Sequence, residues 1–142
     1  MKNVMVGMDI LFSDGDLKTV LMDSISYVTD ESRGNIIISG SHGGTSSARY
    51  AIAYGVGAVF FNDAGTGKNG AGIKGLDQLQ QAGIIAAAAS HETAEIGNAA
   101  DTYRSGIVSH RNRLAEQAGI THRMTVAEAV DITRSYLQST SG

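Results

Sequence analysis

The sequence predicts a single α/β domain over residues 1–142, with three layers and a mainly parallel sheet of flavodoxin- or Rossmann-like type. Three short apolar runs, at residues 36–39, 56–61 and 84–89, have the length and composition of buried strands. Helical patterns separate these runs, and this alternation is typical of parallel strands joined by right-handed crossovers. No linker divides the chain, and 142 residues suit one domain.

The amino-terminal part predicts an antiparallel hairpin at one edge of this sheet. Residues 4–12 and 17–28 are both strand-like, and Ser13-Asp14-Gly15-Asp16 lies between them. An Asp-Gly pair suits a tight turn between two strands.

Two helices are expected between the three central strands. The first covers residues 45–54, with Thr45 or Ser46 as its cap and Gly55 after its end. The second runs from about residue 73 to 82, where apolar residues recur at helical spacing.

The carboxyl-terminal part predicts two further helices. Residues 107–118 read as a helix preceded by a short extended piece. Thr125 followed by Glu128 is typical of a capping box, in which a hydroxyl and a carboxylate satisfy the first amides of a helix.

Composition narrows the function classes. The net charge of −3 argues against a nucleic-acid partner, which needs a basic face. The absence of cysteine excludes disulfides and thiolate metal sites. No apolar run approaches the roughly 20 residues of a membrane span, and no signal-peptide pattern is present. We therefore expect a cytoplasmic protein with no membrane partner, and the small, alanine-rich domain favours a homo-oligomer.

The first candidate site is Ser41-His42-Gly43-Gly44, directly after a predicted strand. Consecutive glycines leave backbone amides free to bind an oxyanion, and His42 can act as a general acid or base near neutral pH. Ligands of open α/β sheets bind at such carboxyl ends of strands. The alternative interpretation is a tight turn whose histidine caps a helix or faces solvent.

The second candidate site is Asn62-Asp63, at the end of the most apolar strand. Asp63 can orient His42, serve as a second base, or bind a substrate hydroxyl or a metal. The alternative is an Asx turn, in which the side chain bonds only to local backbone.

Residues 65–70, Gly-Thr-Gly-Lys-Asn-Gly, match the G-x-G-x-x-G pattern of dinucleotide-binding proteins. Three residues separate this run from its strand, and the strand is not the first of the fold, so a dinucleotide site is disfavoured. A P-loop is also excluded, because Asn69 follows Lys68 and Asn62 stands at the first glycine position. Binding of a phosphate or carboxylate by Lys68 and nearby amides fits better.

Ser90-His91-Glu92 ends the third strand. These residue types could form a nucleophilic triad of a serine, a histidine base and an acidic residue that orients it. The chain has no G-x-S-x-G elbow, which disfavours that interpretation. The acidic and histidine side chains show no local ligand spacing, so no metal is expected. A basic cluster over residues 103–113 is interpreted as a solvated helix face; alternatively, Tyr103 or Ser109 folds over the pocket.

The stretches Gly-Ser-His-Gly-Gly at 40–44, Phe-Asn-Asp-Ala-Gly at 61–65, Ala-Gly-Ile at 71–73, Thr-Tyr at 102–103 and Gly-Ile-Val-Ser at 106–109 resemble a group of short, uncharacterised bacterial α/β proteins. The resemblance covers more than half of the chain. It implies no named activity, so it transfers no catalytic roles.

The function predicted from these patterns is a small-metabolite enzyme that uses acid–base chemistry as a lyase, isomerase or hydrolase. Its substrate is polar and anionic, and no cofactor is expected. His42 moves the proton and Asp63 orients it. The substrate-binding residues are Ser41, Gly43, Gly44, Asn62, Gly65, Lys68, Ser90 and Tyr103. Two alternatives remain open at this point: a non-catalytic nucleotide- or metabolite-binding module, and a structural subunit of a larger complex.

Overall fold

A computed structural model describes residues 7–140, which form one six-stranded sheet with helices on both of its faces. The strands lie side by side in chain order. They are β1 (Met8–Asp14), β2 (Leu17–Met22), β3 (Ile36–His42), β4 (Ala58–Asn62), β5 (Ile85–Ala89) and β6 (Val108–Arg111).

Within residues 7–140, five α-helices cover this sheet. They are α1 (Thr45–Tyr54), α2 (Gly75–Gln81), α3 (Ala99–Ser105), α4 (Arg113–Ala118) and α5 (Val126–Thr140). Short 3₁₀ turns cover Ile25–Tyr27, Asp30–Ser32 and Lys68–Gly70. In residues 7–140, no helix combines the length and the apolar character that a membrane crossing requires.

The sheet is mixed, with a parallel centre and two antiparallel edges. Strands β2 to β5 are mutually parallel, while β1 pairs antiparallel with β2 and β6 pairs antiparallel with β5. The mainly parallel sheet and the antiparallel hairpin are therefore confirmed within the described residues, although residues 4–6 of the first predicted strand lie outside them. The order runs straight from β1 to β6, without the reversal that creates the ligand crevice of doubly wound sheets.

Two buried clusters make the three layers. On one face, Ala48 and Ala51 of α1 and Leu76 and Leu79 of α2 pack on the sheet. This follows from right-handed crossovers that all step in the same direction, because such connections leave their helices on one face. On the other face, residues of α4 and α5, including Val130, cover the sheet.

Helix boundaries agree with the sequence in part. Gly55 ends α1 in the left-handed conformation, and Thr125 and Glu128 form the expected capping box of α5. The cap expected at Thr45 or Ser46 is wrong: Gly44 occupies the cap position of α1, and Thr45 is already the first helical residue.

The run 17–28 is not one strand. Strand β2 ends at Met22, and the side chain of Ser24 accepts a hydrogen bond from the N–H of Ser26 to start a 3₁₀ turn. Serine side chains compete for backbone amides in this way, so they favour a turn over an extended ladder.

Candidate functional site

Asp63 lies directly after β4, and its buried carboxylate is held by three hydrogen bonds. Oδ1 accepts the backbone N–H of Gly65 at 2.7 Å and that of His91 at 3.0 Å. Oδ2 accepts the hydroxyl of Ser109 at 2.7 Å. The imidazole Nδ1 of His91 also lies 3.4 Å from Oδ1.

The ionisation of Asp63 follows from these contacts. Burial raises the pKa of the carboxyl. The hydrogen bonds from Ser109, Gly65 and His91, together with the charge of His91, lower it by more than burial raises it, so the pKa falls below its usual range. Asp63 is therefore a carboxylate near neutral pH, and it can only accept hydrogen bonds.

Ser109 connects this carboxylate to an imidazole. Its Oγ lies 3.0 Å from Nδ1 of His110. The hydroxyl has one proton, and the carboxylate at 2.7 Å is a stronger and nearer acceptor than the carbonyl of Ala88 at 3.3 Å. The Ser109 oxygen must then accept from His110, which places the proton of the neutral ring on Nδ1 and leaves Nε2 with a free lone pair.

Sheet order brings these three side chains together. Strand β5 separates β4 from β6, and Ala88 of β5 pairs with His110 of β6. Asp63 leaves the end of β4 and its backbone N–H donates to the carbonyl of Ala89, the last residue of β5. The carboxylate consequently reaches Ser109 across one strand.

His110 faces a cleft of about 470 Å³ between α2 and β6. This volume lies in the range of small-molecule sites, roughly 300–1,000 Å³. Eight of its eleven lining residues are polar or charged: Asn69, Lys74, Asp77, Ser109, His110, Arg111, Asn112 and His122.

His122 is the second imidazole of the cleft. Its Nε2 makes a short contact with the backbone carbonyl of Ser109, and a carbonyl can only accept, so His122 donates from Nε2. The rings of His110 and His122 meet edge to face, with centroids 6.5 Å apart. Ser109 therefore positions both imidazoles, one through its hydroxyl and one through its carbonyl.

A strained loop leads from Asp63 to the cleft. Ala64, Thr66 and Asn69 have φ angles of 51°, 62° and 57°, a region that side-chain-bearing residues occupy at a cost. Gly72 closes the loop by donating its N–H to the carbonyl of Thr66. A Cβ at Gly72 would lie 2.1 Å from the carbonyl oxygen of Asp63, so only glycine permits this approach.

The carboxyl ends of β3, β4 and β5 lie side by side, because His42 pairs with Asn62 and Asn62 with Ala89. His42 itself is exposed, and its imidazole has no hydrogen-bond or ion-pair partner in residues 7–140. A Cβ at Gly44 would lie 3.0 Å from its ring, which places the ring against the start of α1.

Several of the predicted binding groups are occupied by the fold. The N–H of Gly43 donates to the carbonyl of Asn62, and the N–H of Gly65 to Asp63. The Asn62 side chain donates to the carbonyl of Ala94 and accepts from the N–H of Ala64.

The remaining predicted residues lie apart from the cleft lining. Ser41 accepts from the N–H of Ile25, and Ser90 from that of Glu92. Lys68 is exposed. Tyr103 packs edge to face with Phe12 of β1.

Ser109, His110 and His122 are site residues to which the sequence interpretation gave no catalytic role. One signal was available. Of the four histidines, three follow a serine, at 41–42, 90–91 and 109–110, and the third of these pairs is the one that the structure connects to Asp63.

No group of three or more histidine, aspartate or glutamate side chains in the described part of the chain is arranged to hold a metal ion. No known protein family, curated protein or solved structure matches this chain.

Proposed function

We propose that this chain is a small-metabolite enzyme that uses acid–base chemistry on a polar, anionic substrate, as a lyase, isomerase or hydrolase. One observation carries the proposal: the hydrogen-bonded series His110–Ser109–Asp63 ends at a cleft that contains both Lys74 and Arg111. An oriented imidazole beside cationic side chains is suited to removing a proton from an anion.

The general base in this proposal is Nε2 of His110. Its lone pair is fixed by the hydrogen bond that Nδ1 donates to Ser109. When Nε2 takes a proton, the ring becomes an imidazolium, and the negative charge of Asp63 stabilises it from 3.8 Å. Positioned bases of this kind contribute about 10²–10⁴-fold to a rate.

Ser109 is a positioning residue here and not a nucleophile. Its proton already lies toward Asp63, whose lowered pKa makes that carboxylate a poor acceptor of a full proton. A serine nucleophile instead requires a neighbouring base that removes its proton in the reaction.

The catalytic role predicted for His42 stays a prediction, and so do the homo-oligomeric state, the cytoplasmic location and the flavodoxin- or Rossmann-like relationship. His110 has better support as the base because its tautomer is set by a hydrogen bond, whereas His42 has no such partner in residues 7–140.

The test is a thermal-shift screen of the wild type, His110→Ala and His42→Ala against small carboxylates, phosphates, nucleotides and divalent metals. Each stabilising compound is then incubated with all three proteins and assayed for consumption. We expect the wild type and His42→Ala to consume a small anion that His110→Ala binds but leaves intact. Turnover by His110→Ala at the wild-type rate contradicts the proposal. A compound that binds and is consumed by none of the proteins favours the binding module.

A further inference from the structure

We infer that the cleft between α2 and β6 binds a phosphate group, so that the substrate is a phosphorylated small molecule. This inference rests on the proposed function for its catalytic meaning, but the binding itself can be measured without turnover. Four cationic or protonatable side chains carry it: Lys74, Arg111, His110 and His122 all line the same cleft.

The two permanent cations are free to bind a ligand. Lys74 is exposed, and its side-chain ammonium forms no hydrogen bond or ion pair with any described residue. Arg111 has only one charged contact, 3.7 Å from Nη2 to the exposed Glu116, and its buried Nε has no hydrogen-bond partner in residues 7–140. A guanidinium with unused donors is suited to a planar pair of hydrogen bonds to phosphate or carboxylate oxygens.

The permanent charges of the cleft favour an anion. Lys74 and Arg111 are positive, and Asp77 is the one acidic residue among the lining residues. A phosphate monoester carries nearly two charges at neutral pH, whereas a carboxylate carries one.

The number of hydrogen-bond donors in the cleft also favours a phosphate over a carboxylate. Lys74, Arg111 and the amide of Asn69 supply more donors than the two oxygens of one carboxylate accept. A phosphate offers three acceptor oxygens in a tetrahedral arrangement.

The experiment measures binding of inorganic phosphate, methyl phosphate and acetate to the full chain by calorimetry and by NMR of the histidine rings. The variants are Lys74→Gln and Arg111→Gln. Arg49→Gln is the matched control, because Arg49 is also an exposed cation but does not line the cleft. Thermal unfolding of every variant verifies that it is folded.

We expect both phosphates to bind at least about tenfold more tightly than acetate, which corresponds to one additional charged hydrogen bond. Lys74→Gln and Arg111→Gln each weaken the binding of methyl phosphate by about tenfold or more, and Arg49→Gln leaves its affinity unchanged. The rings of His110 and His122 shift on binding. Equal binding of acetate and phosphate, an unchanged affinity in Lys74→Gln, or binding of inorganic phosphate without methyl phosphate overturns the inference.

The two proposals fail in different ways. Phosphate binding at these residues, with no phosphorylated compound consumed, contradicts the enzyme and keeps the phosphate site. Consumption of a carboxylate by a protein that does not bind phosphate contradicts the phosphate site and keeps the acid–base enzyme.

Discussion

Ser109 Oγ lies 2.7 Å from Asp63 Oδ2, although the two residues are 46 positions apart in the chain. This hydrogen bond determines the direction of every proton in the series, because a carboxylate cannot donate. The tautomer of His110 therefore depends on Asp63, although Ser109 lies between them and the two side chains share no direct hydrogen bond.

Asp63→Asn should reverse this direction. The amide N–H₂ of asparagine donates to Ser109, whose proton then turns toward His110 Nδ1, and the ring proton moves to Nε2. We expect turnover to fall by about 10²–10⁴-fold, as when an orienting carboxylate is lost from other histidine bases. The fold persists because asparagine still accepts from Gly65 and His91.

Turnover of Asp63→Asn and Asp16→Asn, compared with the wild type, measures this effect. Asp16 is exposed in the hairpin turn, so its variant controls for the change in net charge. Full activity of a folded Asp63→Asn protein contradicts the proposed role of Asp63.

Ser109→Ala should reduce stability in a pH-dependent way. The folded pKa of Asp63 is lowered, so its carboxylate stabilises the fold above its unfolded pKa of about 3.9, and this contribution is lost as pH falls through the folded pKa. Removal of the hydroxyl raises the folded pKa toward the ordinary value. We expect a loss of about 1–3 kcal/mol in unfolding free energy at pH 7, which shrinks in acid.

Urea unfolding from pH 2 to pH 7 measures this difference, with Ser135→Ala on the exposed face of α5 as the control. A destabilisation of Ser109→Ala that is the same at all pH values shows that the hydroxyl does not act through the carboxylate.

The loop after Asp63 offers a prediction of the opposite sign. Ala64 and Thr66 have left-handed backbone conformations, which cost about 1–2 kcal/mol for a residue with a side chain. Ala64→Gly and Thr66→Gly each remove this cost. Glycine loses more conformational entropy on folding, so we expect a net stabilisation of about 0.5–1 kcal/mol. Ala71→Gly is the matched control, since its φ of −56° gains nothing from glycine. In thermal unfolding, the midpoint temperature of Ala71→Gly should lie below that of the wild type, and those of Ala64→Gly and Thr66→Gly above it.

Asn112→Ala should be among the more damaging single changes outside the apolar core. The buried Asn112 side chain donates to the carbonyl of Ile84 at 2.9 Å and accepts from the N–H groups of Ala86 and Ala115 at 3.2 and 3.0 Å. Each buried group left without a partner costs about 1–3 kcal/mol. Urea unfolding, with the exposed Gln117→Ala as the control, should show a loss of at least one such contribution.

Local patterns were sufficient to predict much of the fold. The apolar run Ile36–Ile38 predicts β3 because a strand buried on both faces needs continuous apolar residues, and these residues are fully buried. Thr125 and Glu128 predict the start of α5 because both halves of a capping box are local in sequence. The strand order was beyond this reasoning, since pairing between strands is not encoded in any short window.

The candidate site could be predicted only in part. Asp63 was found because it ends an apolar strand. The contact between Asp63 and Ser109 could not be predicted, because β6 is a four-residue edge strand whose position beside β5 depends on the whole connection through α3. His42 was predicted as a site residue because glycines follow it. Those glycines make close backbone contacts instead: the carbonyl of Gly43 accepts the N–H of Gly75.

The tautomer of His110 is the most direct test of whether Asp63 and Ser109 orient this imidazole as a base. Nitrogen-15 NMR of the histidine rings, at a pH where His110 is neutral, identifies which nitrogen carries the proton, and His110→Ala assigns the signal. We expect a proton on Nδ1 in the wild type and on Nε2 in Asp63→Asn. A wild-type His110 that carries its proton on Nε2 would show that Asp63 and Ser109 do not orient this imidazole as a base.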